Sequence, residues 1–91
     1  MSEAIHCFDR AAVRFAIYPD GLDGARVLAE IHENALRDVF GAREGADSLL
    51  HAFDANAGWI EQVAVQRYRR RPGDAIMLES DAFAVAPRHL D

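Results

Sequence analysis

The sequence predicts an α+β fold in a single domain, residues 1–91: a small antiparallel β-sheet with two helices packed on one face, in the order β-β-β-α-α-β. Three observations lead to this prediction. Apolar residues alternate with a period of two early in the chain, they recur with a helical period through its middle, and a short apolar run follows the helices. Helices that stand apart from most strands along the chain are typical of a sheet covered on one face.

Three strands are predicted before the first helix. Residues 4–8 form a short apolar run, and residues 13–18 alternate between two kinds of side chain, which is typical of a half-buried strand. Turn formers fill 19–24 and alternation returns over 27–31, so the second and third strands form an antiparallel hairpin. The face turned away from the helices should display Arg14, Ala16, Tyr18, Leu28 and Glu30.

Two helices and a last strand are predicted in the rest of the chain. A short amphipathic helix lies within 32–40, and Gly41 is placed to end it in the left-handed conformation. A long helix follows over about 47–71, because apolar side chains recur along one stripe of the helical surface. Gly58 lies inside this helix, but the stripe keeps its phase across the glycine, so we expect one continuous helix. The last strand is expected at 75–79.

The composition indicates a small acidic protein. The 91 residues carry a net charge of −5, all ten basic residues are arginine, and Cys7 is the only cysteine, so no internal disulfide is expected. No leader is evident and no apolar run approaches the roughly 18 residues of a membrane span. We therefore expect a cytoplasmic protein with no membrane partner and no cofactor.

The size and charge of the chain also bear on its partners. A chain of this length has a modest core, to which the tail is expected to add Phe83 and Val85. A second copy would extend such a core, so a homodimer is the expected assembly. An acidic chain repels phosphate backbones unless its bases are clustered, so nucleic acid is not an expected partner.

Four stretches of the chain resemble a known family. They are "VRF" at 13–15, "EIHENAL" at 30–36, "LLHAFDANAGWIEQVAVQRYRR" at 49–70 and "IMLESDAF" at 76–83. In this order they resemble the small bacterial family of the domain of unknown function 1488. The resemblance implies a small antiparallel sheet with two helices, and it implies no catalytic residues because the family has no assigned activity. His32 departs from the family pattern, which has Ser or Thr at the start of the first helix.

Arg67, Arg69, Arg70 and Arg71 form the most basic stretch of the sequence. Bases in the last turn of a helix favour the negative end of its dipole, and guanidinium groups also bind phosphate or carboxylate. At about 100° per residue, Arg67 and Arg71 follow the core-facing stripe, Arg70 lies on the flank of Trp59, and Arg69 points to solvent. We expect a mainly structural role, with Arg69 and Arg70 available to a partner. The alternative function is an anion- or nucleic-acid-binding module that uses all four arginines.

Trp59, Val63, Tyr18 and Leu28 are the predicted interface residues. Trp59 and Val63 widen the apolar face of the long helix on one flank, while Tyr18 and Leu28 belong to the open face of the sheet. Tryptophan is enriched at the centres of protein interfaces, although packing at the edge of its own core is the alternative for Trp59. The expected function is a non-enzymatic interaction or accessory module.

Other polar residues give weaker indications of chemistry. Asp47, His51 and Asp54 stand at i, i+4 and i+7 on one helix face, a spacing that could converge on Zn²⁺. Three solvated residues in a helical line are more often a plain polar face, so we expect no metal. His6 and Cys7 are strand neighbours that point to opposite faces, which makes them a poor base–nucleophile pair.

Glu30 and Glu33 flank His32 at the predicted strand-to-helix junction. They could form an acid–base group there, but we expect them to be surface charges that favour the positive end of the first helix. The sequence contains no GxSxG, HExxH, P-loop or dinucleotide-binding fingerprint. We therefore expect no enzymatic activity.

Overall fold

A computed structural model describes residues 4–83 of the chain, which fold into one sheet covered by helices. The strands are β1 (Ala4–Cys7), β2 (Ala12–Ile17), β3 (Val27–His32) and β4 (Met77–Leu78), and the helices are α1 (Glu33–Asp38), α2 (Ala46–Ala55) and α3 (Ala57–Arg70). Two short 3₁₀ helices, Phe8–Arg10 and Ser80–Phe83, complete the described part. No helix within residues 4–83 is both long enough and apolar enough to cross a bilayer.

The strands form one sheet in the order β1-β2-β3-β4. The pairs β1–β2 and β2–β3 are antiparallel, but β4 is parallel to β3 and pairs Met77 with Glu30 and Leu78 with Ile31. The predicted α+β class is confirmed, whereas the sheet is mixed rather than antiparallel throughout. The reason is that all three helices connect β3 to β4, and a connection of this length lets the chain enter the sheet edge in the same direction as β3.

The prediction of one long helix is wrong, because the structure has two helices, α2 and α3, in its place. The break lies at Asn56, whose side-chain amide donates a hydrogen bond to the carbonyl oxygen of Ala52 at 2.9 Å. The backbone N–H of Asn56 donates instead to Phe53, at 3.0 Å. The Asn56 side chain thus occupies the carbonyl oxygen of Ala52, which the backbone N–H of Asn56 would bind in a continuous α-helix. As a result α2 ends at Ala55 and α3 begins at Ala57.

The core lies between the helices and one face of the sheet. The largest fully buried side chains are Phe15, Phe53, Ile17, Ile31, Leu36, Leu49, Ile60, Leu78 and Val13. The rings of Phe15 on β2 and Phe53 on α2 have centroids 4.9 Å apart, which joins the two layers. Phe83 is also buried, as expected, whereas Val85 lies outside the described residues.

The first helix is capped at both ends. His32 accepts a hydrogen bond from the backbone N–H of Asn34 through Nδ1 at 3.1 Å, so the histidine does what Ser or Thr does at other N-caps. At the other end Gly41 has a φ of 74°. Its N–H donates to the carbonyl oxygen of Arg37 at 3.2 Å, which is the pattern of the αL cap, and the N–H of Ala42 donates to the carbonyl oxygen of Leu36 at 2.9 Å. The predicted left-handed cap is confirmed.

Candidate interaction surface

The open face of the sheet carries a groove between two exposed apolar side chains. The register pairs Ile5 with Arg14 and Ala16 with Leu28, and these four side chains point away from the helices. Ile5 is 58% exposed, and Leu28, a predicted interface residue, is 49% exposed. Ala16 lies on the strand between them, and its small side chain leaves a cavity of about 300 Å³. This sheet groove is lined by Ala4, Ile5, Arg14, Phe15, Ala16, Arg26 and Leu28.

A charged network borders the sheet groove. Glu30 accepts hydrogen bonds from Nε of Arg10 at 2.7 and 2.8 Å, and from Nε and Nη2 of Arg14 at 3.2 and 3.0 Å. Burial alone would raise the pKa of Glu30, but these hydrogen bonds and the two positive charges outweigh it and hold the pKa below its ordinary value. Glu30 is therefore an ionised, buried carboxylate on the open face, and not the surface charge expected from the sequence.

The β2–β3 loop presents another exposed apolar side chain. Leu22 is 82% exposed, and two successive turns hold it in place. The N–H of Gly21 donates to the carbonyl oxygen of Tyr18 at 3.0 Å, and the N–H of Gly24 donates to Gly21 at 2.9 Å. We call residues 18–24 the Leu22 turn. Tyr18, another predicted interface residue, begins this turn and is partly buried.

Arg69 fixes the Leu22 turn to the helical layer. Its Nη2 donates a hydrogen bond to the carbonyl oxygen of Pro19 at 2.8 Å. This bond uses one of the five N–H groups of the guanidinium for a contact within the same chain. Arg69 thus has a structural contact that the sequence did not indicate, since the two residues are far apart along the chain.

The other three arginines of the cluster lie around one cavity. This cavity of about 440 Å³ is lined by Arg67, Arg70, Arg71, Asp74 and Ala75. Nε of Arg71 lies 3.0 Å from Oδ2 of Asp74, so part of the positive charge is neutralised locally. The prediction that Arg71 follows the core-facing stripe is wrong, because α3 ends at Arg70 and Arg71 has left the helical conformation. The anion-binding role of the cluster stays a prediction.

Trp59 lies in an aromatic cluster. Its ring centroid is 5.3 Å from that of Phe40 and 5.5 Å from that of Phe83, and both pairs are close to perpendicular. Trp59 and Val63 are partly buried and pack against the core of their own chain. Trp59 therefore packs at the edge of its own core, which was the alternative to an interface role. An interface role for Trp59 and Val63 stays a prediction.

A second charged network links β1 to α1, and the sequence did not predict it. His6 donates from Nε2 to Oε2 of Glu33 at 2.6 Å, and Arg37 donates from Nη2 to Oε1 of Glu33 at 3.0 Å. The His6 side chain is only 6% exposed. The hydrogen bond from His6 lowers the pKa of Glu33, burial opposes it, and Arg37 lowers it further. The i,i+4 spacing of Glu33 and Arg37 is readable from the sequence, but His6 comes from a distant strand.

The remaining polar candidates do not gather into a site. Asp47, His51 and Asp54 all lie exposed on α2. Within residues 4–83 no three His, Cys, Asp or Glu side chains are grouped so that they could hold a metal ion. Cys7 is a free, partly buried thiol. Nε2 of His6 is hydrogen-bonded to Glu33, and its Nδ1 is buried without a hydrogen-bond partner among the described residues.

The family of the chain follows from a comparison with protein-family models. The model described as "Protein of unknown function (DUF1488)" matches residues 3–78. The chain belongs to this family. No curated protein and no solved structure matches this DUF1488 chain. The resemblance noted in the sequence is thereby confirmed, and it brings no assigned activity with it.

The family match locates the candidate surfaces of this DUF1488 protein. The sheet groove, the Leu22 turn and the arginine cavity all lie inside the matched residues. Phe83, which completes the aromatic cluster, lies beyond them. The candidate surfaces therefore belong to the part of the chain that the family model describes.

Proposed function

We propose that this DUF1488 protein is a non-enzymatic interaction module that receives an apolar segment of a partner protein in its sheet groove. The observation that carries the proposal is the exposure of Ile5 and Leu28 on either side of Ala16. Apolar surface removed from water contributes about 25 cal/mol per Å². A partner side chain seated over Ala16 would cover both exposed side chains at once.

The floor of the groove is suited to binding because it is a strand paired on both sides. Ala16 lies on the central part of the sheet, and the adjacent Phe15 is fully buried against the helices. A surface that is already formed before binding loses little conformational entropy on association. Arg14 and Arg26 lie at the edge of the groove, so the favoured segment has acidic residues beside its apolar one.

Peptide selection tests this proposal directly. A display library of random peptides is selected on the wild-type protein and, in parallel, on Ala16→Glu, which fills the groove and adds a carboxylate to it. We expect peptides with an apolar residue beside acidic ones to be enriched on the wild-type protein alone. Phe8→Asp is a matched control, because Phe8 is 79% exposed but does not line the groove. Equal enrichment on the wild-type protein and Ala16→Glu would contradict the proposal.

A second candidate function is the binding of a phosphate-bearing ligand in the arginine cavity. The observation that favours it is the approach of Arg67, Arg70 and Arg71 to one concavity with a single carboxylate, Asp74. Guanidinium groups bind phosphate through paired hydrogen bonds, which suits a cavity of this kind. The overall charge of −5 opposes the approach of long polyanions, so a small anion is the better ligand.

Inorganic phosphate is the probe for the second function. Titration followed by amide chemical shifts should move the signals of residues 67–75, and the double variant R67A/R70A should abolish the movement. Arg43→Ala, which removes an exposed arginine outside the cavity, should leave it unchanged. Binding that survives R67A/R70A would rule the cavity out as the site.

A further inference from the structure

We infer that the partner of the sheet groove is a second copy of this chain, and that the side chain it receives is Leu22 of that copy. The inference rests on the proposed function, because it names the occupant of the same groove. Leu22 is 82% exposed, the most exposed large apolar side chain in the described residues. Covering such an exposed apolar side chain with a partner lowers the free energy, because it removes apolar surface from water.

The shape of the Leu22 turn fits insertion. Hydrogen bonds at Gly21 and Gly24 fix the backbone around Leu22, and Arg69 fixes the turn to α3 through Pro19. The side chain is therefore presented on an ordered loop, which lowers the entropy cost of binding. The groove volume of about 300 Å³ is sufficient for a leucine side chain, since an apolar cavity of about 150 Å³ already holds benzene.

Charge complementarity favours this occupant. Asp20 and Asp23 stand on either side of Leu22 in the sequence, while Arg14 and Arg26 line the groove. Arg14 shares Glu30 with Arg10, so this network of two arginines and one carboxylate keeps a net positive charge beside the groove. Two copies with a net charge of −5 repel one another in general. The contact of this acidic turn with the arginine-edged groove is a local exception to that repulsion. It sets the orientation of the two copies as well as their attraction.

The position of both features in one hairpin permits a closed pair. The Leu22 turn joins β2 to β3, and the groove uses Ala16 near the end of β2 and Leu28 near the start of β3. The turn and the groove are thus at the same end of the sheet. Two copies related by a two-fold axis exchange their turns reciprocally, which makes two equal contacts and leaves no open site for further growth.

Sedimentation of the full chain and its variants tests the inference. The wild-type protein is expected to form a dimer. Leu22→Asp, which removes the inserted side chain, and Ala16→Glu, which blocks the groove, should each weaken the dimer at least about tenfold, or 1.4 kcal/mol. An equimolar mixture of these two variants retains one intact turn and one intact groove, so it should associate more strongly than either variant alone.

Controls separate this mode from other ways of associating. Phe8→Asp removes another exposed apolar side chain and should leave the dimer intact. Leu28→Glu replaces Ala16→Glu if circular dichroism shows that the latter does not fold. A wild-type protein that is still monomeric at about 1 mM would overturn the inference. So would a mixture of Leu22→Asp and Ala16→Glu that associates no more strongly than either variant alone, or a Phe8→Asp variant that no longer forms the dimer. Peptide selection on the groove is independent of these results. A monomeric protein would therefore overturn this inference alone, whereas the proposed function is contradicted only if the selection finds no groove-dependent peptides.

Discussion

Glu30 is a carboxylate that the fold keeps ionised on the open face of the sheet. Its side chain is 10% exposed, and the guanidinium groups of Arg10 and Arg14 bind both of its oxygens. The strand alternation of the sequence correctly placed Arg14 and Glu30 on one face. It could not supply Arg10, because that residue reaches the network from the 3₁₀ helix between β1 and β2.

The pH dependence of stability should reveal this network. Since the pKa values of Glu30 and Glu33 are lowered from 4.5, the stability they contribute is present above pH 4.5 and is lost as the pH falls below it. Glu30→Gln should lower the free energy of unfolding by about 1–2 kcal/mol at neutral pH and should make the acid loss shallower. Urea denaturation at several pH values measures both. A variant with the wild-type acid slope would contradict the assignment of Glu30.

The contact of Arg69 with Pro19 predicts local order in the Leu22 turn. Arg69→Ala removes the hydrogen bond that fixes this turn to α3, so amide hydrogen exchange should become faster over 19–24. Arg70→Ala is the neighbouring control, because Arg70 lines the arginine cavity and not the turn. Equal exchange in the two variants would mean that the turn is ordered by its own hydrogen bonds alone.

The helices show where local sequence patterns are sufficient and where they are not. Gly41 was predicted to end α1, because a glycine after an amphipathic run has a specific backbone role. The break between α2 and α3 was not predicted, because the apolar stripe continues through it and the deciding contact is one side-chain hydrogen bond of Asn56. Periodicity reports which face is buried, and it does not report how a backbone N–H is satisfied.

Two glycine substitutions should therefore have opposite effects on stability. Neither Gly41 nor Gly58 has a neighbour within 4 Å of an added Cβ, so backbone conformation alone decides the outcome. Gly41 has a φ of 74°, and Gly41→Ala should destabilise the protein by about 1 kcal/mol. Gly58 lies in the first turn of α3, and Gly58→Ala should stabilise by about 0.5–1 kcal/mol. Thermal denaturation of both variants provides the measurement, and shifts of the same sign would be incompatible with these conformations.

The whole molecule has two apolar regions, one on the helical side and one on the open side of the sheet. Trp59 packs with Phe40 and Phe83 on the helical side of the molecule, while the groove lies on the open side of the sheet. The sequence predicted the apolar flank at Trp59 and the open-face positions of Arg14, Ala16, Leu28 and Glu30, but it assigned no face to Ile5. It could not tell which region is covered by the protein's own chain, because that depends on α1 and the 3₁₀ helix at Phe83 coming together across the fold.

Tryptophan fluorescence distinguishes these two surfaces. Trp59 is the only tryptophan and does not line the sheet groove, so its emission should stay constant as the protein concentration is raised through formation of the proposed dimer. Phe83→Ala should instead shift the emission to longer wavelength and destabilise the fold by about 3 kcal/mol, because it opens the aromatic cluster to water. An emission shift that follows dimer formation would place Trp59 in the interface.

The parallel pairing of β4 with β3 has a consequence for the order of folding. β4 has two residues, and its partner strand precedes all three helices. The antiparallel hairpins of β1, β2 and β3 close short loops, whereas β4 must close one that spans the helical half of the chain. On the ribosome the first three strands therefore emerge long before the fourth strand is available to pair with β3. The carbonyl oxygen of Ile76, the residue before β4, accepts a hydrogen bond from the N–H of Glu30 at 2.9 Å. The backbone N–H of Glu30 on β3 therefore gains this partner only when the last strand arrives.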